Sequence, residues 1–161
     1  MAEKSDFNAE EWDLLRQSPL MASLVIAAAS PNGPVGLLKE VSAATKVISE
    51  AAESAKAPLV KAVARDLKQV LSLPKRPEDA GASMAQDLAL NTLRRTSEVL
   101  GKKASPEEAA EFKQWLSTIA QRTAEAAKEG GFLGFGGALV SEKEQAALGA
   151  IKLVLGVPRA A

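Results

Sequence analysis

The chain has 161 residues, 20 of them Lys or Arg and 20 Asp or Glu, with 31 Ala and no His, Cys or Tyr. Those absences exclude Ser-His-Asp and Cys-His triads, zinc fingers and other His-ligated zinc, Glu-x-x-His di-iron centres, proximal-His haem, disulfides and thiol redox chemistry. The balanced charge argues against a nucleic-acid binder, which carries a basic excess, and the length predicts one domain able to bury a real core.

Asn8 and Glu11 form a capping box, and Phe7 and Trp12 stand at the positions of a hydrophobic staple, so a first helix is expected over 9–17. Ser18-Pro19 then reads as a fresh cap with Pro at the first helical position, opening a second helix over 19–29. Its apolar residues Leu20, Met21, Leu24, Val25 and Ala28, widened by Ala22 and Ile26, predict burial nearly all round. Ser30-Pro31-Asn32-Gly33-Pro34 breaks the chain, and a third helix follows over about 35–55 on Leu37, Leu38, Val41, Ala44, Ile48, Ala51, Ala52 and Ala55. Pro58 stops or kinks it. A fourth helix carries Leu59, Val60, Val63, Leu67, Val70 and Leu71.

Residues 73–81 hold Pro74 and Pro77 and read as a loop that would separate two halves. Charge gives no support for a division: 1–80 has 10 basic and 11 acidic residues, 81–161 has 10 and 9. A fifth helix is expected over about 82–100, with Ala85, Leu88, Ala89, Leu93, Thr96 and Leu100 inward and Gly101 as its stop. Ser105-Pro106-Glu107-Glu108 is a strong start for a sixth, with Phe112, Trp115, Leu116, Ile119, Ala120, Thr123 and Ala127 inward. Ser141 and Glu144 box the start of a seventh, which carries Ala147, Leu148, Ile151, Val154 and Leu155 and ends at Gly156 before Pro158. The expected fold is therefore all-α: a single-domain bundle of about seven helices over residues 1–161, with no sheet.

The segment 130–137 departs most from this background. Five of its eight residues are Gly, and it holds two of the four Phe. Its Phe side chains would either anchor the loop in the bundle's own core or dock another protein or subunit; shallow membrane insertion is a third option, without the flanking Lys/Arg cluster that would favour it. The glycine order matches neither a phosphate loop nor a dinucleotide fingerprint. Phe132, Leu133 and Phe135 are the candidate interaction residues.

Other clusters have simpler readings. Glu10, Glu11 and Asp13, and Glu107, Glu108 and Glu111, stand in first helical turns, where acids complete caps and favour the dipole; a carboxylate-only Mg²⁺ or Ca²⁺ site is the chemical alternative. Lys102-Lys103 suit a helix C-terminus. Trp12 and Trp115 sit at core spacing. The longest nearly uncharged run, Gln17–Leu38, is interrupted by Ser18, Pro19, Ser30, Pro31, Gly33 and Pro34 and is no membrane span, which needs about 20 continuous apolar residues. The first residues carry two acids and show no signal-peptide pattern, so a cytoplasmic location is expected.

Two stretches, Leu20–Ala29 with its following Ser-Pro-Asn-Gly turn and Val140–Gly156, resemble the helical domain of the tellurite-resistance TerB-like family. They cover 27 helical residues. The resemblance implies a compact all-helical architecture. It does not bring a metal role with it, because Asn32-Gly33 stands where that family has Asp-Gly and Pro34-Val35-Gly36 stands where acids follow. The overall pattern is also similar to bacterial all-α proteins from which no activity is carried over.

The expected function is a non-enzymatic protein-interaction or assembly module, with a protein partner or a second copy in a homodimer, no cofactor, no catalytic residue and no metal. The alternative is a carrier of a small apolar ligand or lipid, enclosed by Met21, Met84, Trp12 and Trp115.

Overall fold

A computed structural model describes residues 1–29, 34–69, 81–128 and 140–158. The predicted Asn8 box opens α1: the Glu11 amide donates to Asn8 Oδ1 and the Asn8 amide to Glu11 Oε2, both at 2.8 Å. Phe7 and Trp12 close the staple, with ring centroids 5.8 Å apart. A short 3₁₀ turn, Lys4–Asp6, leads into this start.

The break expected at Ser18-Pro19 does not occur. α1 runs unbroken over Ala9–Ala29 with Pro19 inside it. Proline lacks the N–H that would bond the carbonyl four residues back, here Leu15. The Ser18 hydroxyl donates to that carbonyl at 2.8 Å instead, in a fully buried setting. One hydroxyl thus restores the missing hydrogen bond, and two expected helices become one.

Five helices follow: α2 (Pro34–Ser54), α3 (Pro58–Gln69), α4 (Ala82–Lys103), α5 (Pro106–Lys128) and α6 (Glu142–Leu155), with no strand among the described residues. The all-α class stands, with six helices among the described residues in place of about seven. The cap chemistry predicted for α5 and α6 is present. The Glu108 amide donates to Ser105 Oγ at 3.2 Å, and the Glu144 amide to Ser141 Oγ at 3.3 Å. Gly156 closes α6 at φ 67°, where Val157 N–H reaches Lys152 O and Gly156 N–H reaches Leu153 O in a Schellman pattern. Gly101 does not stop α4, which continues to Lys103.

α1 is the central post and touches each of the other helices. α4 lies antiparallel to it: Arg95 pairs with Glu10 at 2.6 Å, Thr96 Oγ1 lies 3.4 Å from the Leu14 carbonyl, and Lys103 Nζ donates to the Asp6 carbonyl at 2.9 Å. α5 runs the same way as α1, from the Ala2–Glu108 bond at 2.9 Å to Ser23 and Thr123, whose buried hydroxyls lie 3.3 Å apart. One apolar cluster takes side chains from all six helices, including α3 and α4 on either side of 73–81. Many of its members are Ala, which lets helix axes approach closely.

Ser18→Ala is expected to cost about 1–2 kcal/mol in urea unfolding, because it leaves a buried carbonyl unsatisfied. In a Pro19→Ala background, where a backbone N–H returns to Leu15, the same change is expected to cost less than half as much. Equal costs in both backgrounds would contradict the assignment.

Candidate functional site

The Gly-Phe segment with Phe132, Leu133 and Phe135, the Asn32-Gly33 turn, and Val70, Leu71 and residues 73–80 lie outside the described residues. What the described residues bring together falls in two places: a clasp formed by the first eight residues, and the outer face of α1 and α4.

The clasp ties five elements at one end of the bundle. Asp66 of α3 is its hub. Asp66 Oδ2 accepts the Trp12 indole N–H at 2.7 Å and the Lys4 ammonium at 3.2 Å, and Lys4 Nζ also sits 5.3 Å from the Trp12 ring centroid. Glu108 of α5 accepts the Ala2 amide, while Lys103 of α4 bridges the Asp6 carbonyl and Glu11, the latter at 3.1 Å. Ala2 and Phe7 are buried beneath these polar links. The acids singled out as helix caps therefore also hold the N-terminal segment. Lys103, grouped in the sequence with a basic pair at a helix end, is one of its ties.

Three carboxylates in the clasp are held below the usual carboxylate range. The Trp12 N–H acts most strongly on Asp66, followed by Lys4. The Asn8 backbone N–H and then Lys103 act on Glu11. The Ser105 and Ala2 backbone N–H groups act on Glu108. These are charge-assisted hydrogen bonds to the ionised form.

The outer face of α1 and α4 changes character along its length. At the clasp end it forms a shallow cleft of about 250 Å³ lined by Asn8, Glu10, Glu11, Leu14, Arg95, Glu98, Val99 and Lys102. Acids and bases alternate there; Glu10 pairs with Arg95, and Glu11 pairs with Lys103 beside the cleft. Towards the other end the face turns apolar. Met84 and Leu88, one turn apart on α4, are 66% and 56% exposed. The antiparallel register set by Glu10–Arg95 and Leu14–Thr96 puts the half-buried Leu20 and Leu24 of α1 level with them.

This corrects two expectations. Leu88 does not face inward: it lies about 100° round the helix from Ala89, past the edge of the buried stripe of Ala85, Ala89, Leu93, Thr96 and Leu100. Met84 lines no interior space for an apolar ligand, although Met21, Trp12 and Trp115 are buried. Two carboxylates, Glu40 and Glu144, are also buried, and neither lines the α1–α4 cleft. Glu144 Oε2 closes the α6 cap, whereas its Oε1 and the Trp115 indole N–H have no hydrogen-bond partner among the described residues. No group of three metal-ligating side chains assembles among the described residues, and none of the described helices is long and apolar enough to cross a membrane. No family model, curated protein or solved structure matches the chain.

Each lowered carboxylate stabilises the fold above the ordinary carboxylate range, and that contribution is lost as pH falls through its depressed native value. Stability is therefore expected to be level above about pH 5 and to decline below about pH 4. Asp66→Asn is expected to lower the thermal midpoint at pH 6 and to flatten the acid decline. Wild-type and variant curves that run parallel from pH 6 to about pH 3 would show that Asp66 is not a hub.

Proposed function

We propose that this protein works through protein–protein contact, with no chemistry of its own, and that the contact surface is the apolar half of the outer α1–α4 face. The observation that carries this reading is the pair Met84 and Leu88, two large apolar side chains exposed on adjacent turns of one helix, with the half-buried Leu20 and Leu24 level with them on α1. Single exposed apolar residues are ordinary, whereas a contiguous group marks a surface that gains by being covered. The missing His and Cys support a binding role over a catalytic one. Phe132, Leu133 and Phe135 join the proposal on sequence grounds as a second contact segment. A cytoplasmic setting is part of the same reading, since a chain without Cys needs no oxidising compartment to fold.

A photo-crosslinking amino acid placed at position 84 or 88 tests the surface in producing cells. Discrete protein adducts are expected from both positions and not from position 114, which is exposed on α5. Equal labelling at 114, or no adduct at 84 and 88, would overturn the assignment.

A further inference from the structure

We infer that the partner for this face is a second copy of the chain, docked antiparallel through α4 about a two-fold axis at Asn91; this rests on the contact surface proposed above. Between Met84 and Glu98 the exposed residues of α4 are Met84, Asp87, Leu88, Asn91, Arg94, Arg95 and Glu98. Their spacing is the same read in either direction from Asn91. An antiparallel copy therefore sets Met84 opposite Glu98, Asp87 opposite Arg95, Leu88 opposite Arg94, and Asn91 opposite itself.

The charges select this arrangement. The first half of the stripe, Met84 to Leu88, is apolar with one acid. The second half, Arg94 to Glu98, carries two bases and one acid. Antiparallel pairing lays each acidic, apolar half on the basic half of the other copy, whereas parallel pairing would set like on like. Arginine's long aliphatic stem covers an apolar neighbour while its guanidinium reaches an acid, so Arg94 of the second copy can shield Leu88 while Arg95 meets Asp87. Asp87 has no ion-pair partner among the described residues of its own chain. Arg95 is held by Glu10 at 2.6 Å, which fixes its position on the face and leaves further N–H donors for a second carboxylate. The contact is isologous, as closed dimers require. One helix pair buries a small area, so the dimer forms and dissociates with concentration.

Sedimentation velocity of the full chain from about 5 to 500 µM tests this. A monomer–dimer equilibrium is expected, weakening as salt rises. Asp87→Arg and Arg95→Asp are each expected to weaken self-association by about tenfold or more, since each brings like charges together. Mixing the two variants restores both pairings and is expected to give a heterodimer at least as tight as the wild-type dimer. Circular dichroism of each variant establishes that it is folded, and Asp87→Asn supplies a milder version of the same loss. A wild-type monomer throughout the range, unchanged association in the single variants, or no heterodimer on mixing would overturn the inference. Crosslinks from positions 84 and 88 to a different protein, with the chain itself monomeric, would sink the dimer and leave the contact surface standing. No adduct at all would remove both.

Discussion

The fold depends on one helix staying whole. α1 buries ten of its 21 residues and touches every other helix, so its unbroken run through Pro19 sets where the rest can pack. A proline at that point removes an N–H and costs about 3 kcal/mol in an ordinary helix interior. The Ser18 hydroxyl bonded to the Leu15 carbonyl offsets part of that loss. With α1 continuous, the clasp at its start and the apolar face near its end lie on one rigid element. The Glu10–Arg95 pair and the Leu14–Thr96 approach then share a single register with Leu24 and Met84.

Small side chains make that register possible. α4 turns Ala85 and Ala89 towards the core, and hydroxyl residues such as Thr96, Ser23 and Thr123 fill narrow gaps while bonding to backbone or to one another. Close approach strengthens dispersion contacts, though each Ala removes little area from water. With Ala85 and Ala89 buried on one side of α4, Met84 and Leu88 are exposed on the other.

Local signals were readable in the sequence and long-range ones were not. The boxes at Asn8, Ser105 and Ser141, the Phe7–Trp12 staple and the left-handed Gly156 all follow from residues within one or two turns, and all are present. Ser18-Pro19 was ambiguous, because the same pair begins a helix when Ser accepts a backbone N–H and continues one when Ser donates to a carbonyl. Leu88 lies about 100° round the helix from Ala89, at the edge of the apolar stripe, where spacing alone does not say whether a neighbouring helix covers it. The Asp66 hub had no sequence signal at all: Trp12 and Asp66 stand 54 residues apart, and only the fold brings them to 2.7 Å.

The continuity of α1 is tested most directly by native-state hydrogen exchange. Amides on both sides of Pro19, over 13–17 and 21–26, are expected to exchange only through global unfolding and to share one free energy of opening and one denaturant dependence. If the amides of 13–17 instead opened as a separate unit, with a lower free energy and a smaller denaturant slope than 21–26, α1 would be two helices in solution and the register that creates the outer face would lose its basis.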